Sequence, residues 1–355
     1  MKILLLIDAM PLGGAERQMS YLAIGLKKAG HKVRLVTFFD LENGYSKDLL
    51  KEDIHTEVYK KGGNPLIRAF VIRSIVNNFK PGMTVAYKYG TTVAACMAQC
   101  LGKRFNLIVS ERNTTQQLTA KEKLKFLLYR LSTHIVPNSL TQARFIEKHY
   151  PDLISKIQVI TNMVDTKKFR PPLERSKKEI PIILTTARVS PQKNIINYIK
   201  AIRIIKDKGI KARFEWYGYV SSYEYLDGIR RLVKELDLDD MISINRSVDN
   251  VIELYHKADI FCLPSLFEGF PNVLCESMSC GLIAIGSNIC DNSKIQNDIR
   301  FLFDPMNPDD IADKIINAIE IPDDMKVQIG EANTNRIQNI CSEKSFIRKY
   351  MELIM

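Results

Sequence analysis

The chain has 355 residues, 46% hydrophobic and 26% charged, with a formal net charge of +11. That length exceeds one ordinary core and suits two domains of roughly 100–200 residues each. The composition excludes a disordered or fibrous chain, and no apolar run reaches the roughly 18 residues of a membrane span.

The apolar start, Ile3 to Ile7, is too short for a secretory leader and reads as a buried strand. A loop with Gly13-Gly14-Ala15-Glu16 follows, then a helix at 15–28 with Met19, Leu22, Ala23 and Leu26 at helical spacing. A strand at 33–38 completes a βαβ unit, which predicts a parallel sheet. Residues 40–80 are less regular, apart from a helix at 66–79 carrying Arg68 and Arg73. A strand at 84–87, a helix at 91–101 and a strand at 105–109 lead to Ser110-Glu111-Arg112-Asn113. That string lies at a strand's carboxyl end, the edge where open α/β sheets bind ligands, although an exposed ion pair would read the same.

Residues 119–132 form a basic amphipathic helix. Leu124, Leu127, Leu128 and Leu131 fall on one stripe, flanked by Lys121, Lys123, Lys125 and Arg130. The stripe is expected to face the core with a solvated edge; the alternative is a membrane surface or acceptor phosphates. A strand at 134–137, a helix to 150 and a strand at 157–160 close the first half, and 162–172 reads as a connection. The second half repeats the alternation. Strands at 182–186, 214–217 and 241–244 are each followed by a helix, at 194–206, 223–236 and 250–256. The run 258–263 is the next strand, 272–280 a helix and 282–285 a strand; terminal helices occupy 309–319 and 345–353.

Three places carry chemistry. Gly13 and Gly14 precede a helix and allow backbone to approach a phosphate, though a tight turn would also use them. Arg188 and Lys193 lie between a strand and a helix, where two cations can neutralise a diphosphate leaving group. Glu268 sits on a loop, and Glu276 lies one and a half turns into the helix that begins after Pro271. Carboxylates that accept adjacent hydroxyls, beside a helix N-terminus that favours anions, suit a sugar nucleotide. The bland alternative is a pair of solvated surface glutamates. The five histidines show no triad or metal spacing, and the Asp237-Leu238-Asp239 string reads as the loop after a helix. The seven cysteines lack a CxxC or zinc spacing and are expected to be reduced core thiols of a cytoplasmic protein.

The string Glu268-Gly269-Phe270-Pro271-Asn272-Val273-Leu274-Cys275-Glu276 resembles the E-(x)7-E signature of retaining glycosyltransferase family 4. Gly-Gly-Ala-Glu-Arg at 13–17 resembles the family's first-loop motif, which faces the donor phosphates and sugar. Arg188 and Lys193 resemble its Gly-Arg-x-x-x-x-Lys-Gly element, with Ala187 and Asn194 in place of the glycines. Where many members carry a histidine, this chain is similar to a subgroup with Ser-Glu-Arg-Asn, placing Glu111 and Arg112 there.

The resemblance implies the GT-B architecture, two doubly wound Rossmann-like α/β domains with parallel sheets that face each other across a cleft. Residues 1–170 would form the acceptor side, 171–339 would bind the nucleotide sugar, and the helix in 340–355 would pack back on the first domain. Glu268, Arg188, Lys193, Glu111 and Arg112 would be catalytic. Gly13, Gly14, Glu16, Gly269, Phe270, Pro271, Asn272, Val273 and Glu276 would hold the donor. The donor would be UDP-linked, and neither metal nor separate cofactor is expected.

Charge bears on the acceptor. Residues 1–180 carry 30 Lys and Arg against 15 Asp and Glu, and the remainder 21 against 25. The basic half is expected to meet a polyanion, and no nucleic-acid motif is present. A polyprenyl-pyrophosphate-linked saccharide at an anionic cytoplasmic membrane face fits, which points to surface polysaccharide or O-antigen assembly. The alternatives are an epimerase or phosphorylase of the same architecture, or a non-catalytic nucleotide-binding protein.

Overall fold

The computed structural model describes residues 1–41, 44–60, 63–175, 178–296 and 298–353. The chain divides into two compact units: Met1–Met163 with Glu343–Met355, and Val164–Ser342.

In the first unit the strands are β1 (Lys2–Ile7), β2 (Lys32–Thr37), β3 (Thr56–Val58), β4 (Met83–Tyr87), β5 (Leu107–Glu111) and β6 (His134–Pro137). Its helices are α1 (Gly14–Lys28), α2 (Ser46–Lys51), α3 (Pro65–Phe79), α4 (Tyr89–Ala98), α5 (Ala120–Tyr129) and α6 (Leu140–His149). The sheet order is β3-β2-β1-β4-β5-β6, and every pairing is parallel. Central β1 needs apolar residues on both faces, and Ile3 to Ile7 are all fully buried.

The second unit is built the same way. Its strands are β7 (Ile182–Thr186), β8 (Arg213–Tyr217), β9 (Ile242–Asn245), β10 (Ile260–Leu263), β11 (Ile283–Ser287) and β12 (Leu302–Phe303). Its helices are α7 (Ile195–Asp207), α8 (Tyr223–Glu235), α9 (Val251–Lys257), α10 (Asn272–Ser279), α11 (Asn292–Ile295), α12 (Pro308–Ile319) and α13 (Asp323–Ile340). The order β12-β11-β10-β7-β8-β9 is again the doubly wound order, all parallel. The last helix, α14 (Glu343–Glu352), belongs to the first unit. Its Phe346, Ile347 and Tyr350 join the core formed by β1 and α1, and the Tyr350 and Tyr87 hydroxyls lie 2.8 Å apart.

Several expectations need correction. Residues 157–160 do not form a strand; they meet β6 through an isolated bridge at Ile157 and a few backbone hydrogen bonds. Short α2 and β3 fill the irregular stretch after β2, and the 18-residue α13 follows α12. Of the expected stripe near α5, Leu128 and Leu131 pack against the core and the other two leucines do not. Leu124 and Leu127 are about half exposed (50% and 54%), while Lys125, Phe126 and Tyr129 are buried. Phe126 packs against Tyr150 and Phe145 at centroid distances of 4.8 and 6.4 Å, and a core carboxylate draws in Lys125 and Tyr129. Five of the seven unpaired cysteines are buried, but Cys100 is exposed and Cys290 half-buried. Burial pushes the Cys280 thiol up to about 12, so it is not a nucleophile at neutral pH.

Candidate active site

Each sheet reverses its winding direction at one place, and ligands of doubly wound folds bind beyond the strand ends there. In the second unit the place lies between β7 and β10. The loop after β7 carries Arg188 and Lys193, and the loop after β10 carries Glu268. Lys193 Nζ is 2.5 Å from Glu268 Oε1, and Ser265 Oγ donates to the same oxygen at 2.7 Å. Two hydrogen bonds lace the loops together: Leu266 N–H donates to Gln192 O at 2.9 Å, and the Gln192 side-chain Nε2 donates to Phe267 O at 2.8 Å.

Glu268 is 8% exposed and Glu276 only 3%. Glutamate is almost never buried unless something holds it, so neither is a solvated surface residue. Phe270 and Pro271 are buried, whereas Gly269, Asn272 and Val273 are half-buried around the start of α10. The helix ends as its sequence demands: Cys280 caps it and Gly281 turns out with φ +74°. Tyr255 on α9 places its hydroxyl 3.4 Å from Glu276 Oε2.

Arg188 is exposed, and its backbone is clamped. Ala187 N–H donates to Tyr217 O and Val189 N–H to Tyr219 O, both at 2.9 Å. The Trp216 indole N–H donates to Ala187 O at 2.8 Å. Gly218 has no side chain to spare, because a Cβ there would overlap the Ala187 carbonyl.

In the first unit the reversal lies between β1 and β4. Asp8, just past β1, pairs with buried Arg68 and accepts from Thr91 Oγ1 at 2.5 Å. Glu16, 4% exposed, pairs with Lys88 just past β4. The Glu16 carboxylate lies against Gly13, where a Cβ would displace it, and Gly14 opens α1. Lys88 has φ +68° and ψ 149°, a region that suits glycine and costs a lysine on the order of 1–3 kcal/mol. Such strain clusters at functional sites. Lys88 escaped the sequence reading, although a charged residue between a strand end and Gly90 was the available signal.

Glu111 is the last residue of β5, not part of an exposed loop. It is 8% exposed. Its Oε2 lies 2.7 Å from Lys125 Nζ and accepts from Gln142 Nε2 at 3.4 Å; its Oε1 accepts from the Tyr129 hydroxyl at 2.5 Å. Burial depresses the Lys125 ammonium, and the carboxylates of Glu111 and Glu122 outweigh that, so it titrates above the ordinary lysine value. Glu111 thus anchors α5 and α6 to the sheet. Arg112, the next residue, stacks its guanidinium 4.6 Å from the Tyr87 ring centroid, bonds Asn162, and donates to Ser110 Oγ at 3.3 Å. Among the described residues no cluster of three His, Cys, Asp or Glu could hold a metal ion.

Two doubly wound six-stranded domains, each with its polar cluster at a winding reversal, are the parts of a GT-B enzyme. Residues 12–168 match the family model described as Glycosyltransferase Family 4, and residues 165–336 the one described as Glycosyl transferases group 1. The chain belongs to glycosyltransferase family 4 and is a glycosyltransferase. A Campylobacter jejuni relative is 26% identical over 303 residues, 83% of this chain and 81% of the relative. It is named "GalNAc-alpha-(1->4)-GalNAc-alpha-(1->3)-diNAcBac-PP-undecaprenol alpha-1,4-N-acetyl-D-galactosaminyltransferase". A Rickettsia africae glycosyltransferase structure is similar with a TM-score of 0.86 at 22% identity, over 99% of this chain and 97% of that one. An Anabaena protein solved with UDP and glucose gives 0.84 at 16% identity, over 99% and 98% of the two chains.

Proposed function

We propose that this enzyme transfers a glycosyl unit from a UDP-sugar, with retention at the anomeric carbon, to a polyprenyl-diphosphate-linked saccharide in surface polysaccharide assembly. The observation that carries the proposal is the pair of buried carboxylates, Glu268 and Glu276, flanking the start of α10 at the winding reversal, with Lys193 held on Glu268. The diphosphate would lie at the start of α10 against Arg188 and Lys193, which carry the leaving-group charge without a metal. Glu276 would take the ribose hydroxyls, and Glu268 with the Gly269–Phe270 backbone the transferred sugar. Gly13, Gly14 and Glu16 would serve the donor's phosphates and sugar. Arg112 would face the sugar or acceptor, with Glu111 positioning its loop from below. UDP is supported by the Anabaena structure, and a lipid-linked acceptor by the name of the Campylobacter relative.

The two glutamates can be told apart. Glu276→Ala should weaken free UDP and UDP-sugar alike by about 1.5–3 kcal/mol, the range for a hydrogen bond to a charged group. Glu268→Ala should leave free UDP almost unchanged while lowering UDP-sugar affinity and turnover. Calorimetry on both variants decides it, and equal losses of UDP affinity would overturn the division of roles.

Gly218→Ala tests the clamp on Arg188. The added methyl should shift the Ala187 carbonyl, cost about 1–3 kcal/mol of stability as overpacking does, and raise the donor KM. Trp216 is the only tryptophan in the sequence and bonds that carbonyl, so its fluorescence can follow donor titration. Unchanged donor affinity would detach Arg188 from the site.

The first unit carries 27 Lys and Arg against 14 Asp and Glu. Leu124 and Leu127 are exposed on α5 beside exposed Lys121 and Lys123. Among the described residues no helix is long and apolar enough to cross a membrane. Reversible docking of this face on anionic lipid would bring the enzyme to a lipid-linked acceptor. Sedimentation with anionic vesicles should exceed that with neutral ones and fall as salt rises. Equal recovery in the supernatant with both vesicle types at low salt would remove the membrane from the proposal.

A further inference from the structure

We infer that Tyr255 is a positioning residue for the nucleotide: its hydroxyl fixes the orientation of the Glu276 carboxylate that meets the ribose. The inference rests on the donor site proposed above. Tyr255 is fully buried on α9. Its Oη lies 3.0 Å from Thr186 Oγ1, 3.4 Å from Glu276 Oε2 and 3.5 Å from Val273 O. A carboxylate can only accept, so the phenol proton points toward Glu276, with Val273 O beside it. The Thr186 hydroxyl then donates to the phenol oxygen. The relay joins three elements at the winding reversal: the end of β7, α9, and α10.

Thr186, Glu276 and Val273 all belong to this site. Thr186 stands two residues before Arg188, so the relay links the ribose carboxylate to the strand end that carries a diphosphate cation. The ring itself is satisfied without the oxygen. It packs edge-to-face on Phe261 at 5.8 Å and tilted on Phe169 at 6.2 Å, contacts a phenylalanine would keep. A buried hydroxyl is costly unless bonded, and this one spends its bonds on the site. A carboxylate that grips two adjacent hydroxyls needs a fixed plane. On a helix, Glu276 has several rotamers, and the phenol selects among them.

The test compares Tyr255→Phe, Glu276→Gln and the double variant, with UDP as the probe. Tyr255→Phe should raise the UDP Kd and the donor KM about five- to tenfold, the order expected of one hydrogen bond. The turnover number should stay at the wild-type value, with a small fall in thermal midpoint because Thr186 and Glu276 each lose a partner. Because the phenol acts through the carboxylate, the double variant should lose no more UDP affinity than Glu276→Gln alone. Thr186→Val, which removes the other end of the relay, should shift KM in the same direction. Tyr255→Phe that binds UDP like the wild type, losses that simply add in the double variant, or a lower midpoint with KM unmoved would each overturn the inference. If Glu276→Gln itself leaves UDP affinity unchanged, the donor-site proposal falls as well. If Glu276→Gln weakens UDP while Tyr255→Phe does not, only the role of Tyr255 falls.

Discussion

Replacing Lys193 by alanine is expected to slow glycosyl transfer about 10²–10³-fold, the cost of losing one preorganised donor from a site of developing charge. Negative charge on the departing diphosphate is largest in the transition state, so the ammonium counts for more there than in the ground state. The side chain is poised for this: it is 16% exposed and sits 2.5 Å from Glu268. Glu268 therefore neutralises Lys193 when no donor is present, and a diphosphate would compete for the same ammonium. The variant should stay folded, because the Ser265 hydroxyl still bonds Glu268 Oε1. The proposed site accordingly predicts a lower turnover number in a chain that still folds, with a lowered urea midpoint because Glu268 keeps a buried charge. Near-normal transfer by Lys193→Ala would place the diphosphate elsewhere.

The largest stability effect is expected at Glu111. Glu111→Ala leaves Lys125 buried against one remaining carboxylate neighbour, Glu122, and removes one of the acceptors of Tyr129 and of Gln142. Breaking a buried pair from one side costs about 3–5 kcal/mol, because the stranded charge is worse than no charge. The loss belongs to the first unit, so far-ultraviolet circular dichroism should register it, while Trp216 reports on the second unit. Changing both partners, Glu111→Leu with Lys125→Met, should recover most of the loss. The pH dependence has a definite sign. The folded-state pKa of Lys125 lies above its unfolded value, so its contribution is complete at neutral pH and disappears only as pH rises past the ordinary lysine range. A Glu111→Ala chain with the wild-type urea midpoint would show that this network is slack.

Much of the fold was legible because its strands obey simple physics. A fully buried parallel strand must be apolar on both faces, and Ile3 to Ile7 announce that without help. The start and stop of α10 were equally plain, marked by Pro271 and Gly281, and they located Glu268 and Glu276. Elements with weak patterns escaped. Along all of α13 only Gly330 and Ile337 are buried, so its sequence carries almost no stripe. β3 is three residues long. Leu128 and Leu131 pack on the core as expected, but Leu124 and Leu127 misled, because an apolar stripe predicts burial only when no stronger partner competes for the inward face. The carboxylate of Glu111, from a strand nine residues upstream of the helix start, turned Lys125 inward. Tyr255 was hidden for a related reason: its partners Thr186 and Glu276 come from distant parts of the chain, and no local pattern records a meeting in space.

The placement of α14 affects how this protein is made. The chain leaves the first unit at Met163 and re-enters it at Glu343, carrying Phe346 and Tyr350 into the core beside β1 and α1. Domains commonly fold in the order of synthesis, N-terminal first. Here the first unit lacks part of its core until α14 has left the ribosome, whereas every residue of the second unit, through Ser342, has been synthesised before α14. The domain begun first is therefore completed last, and a nascent chain stalled before Glu343 would present an open apolar surface to chaperones and proteases.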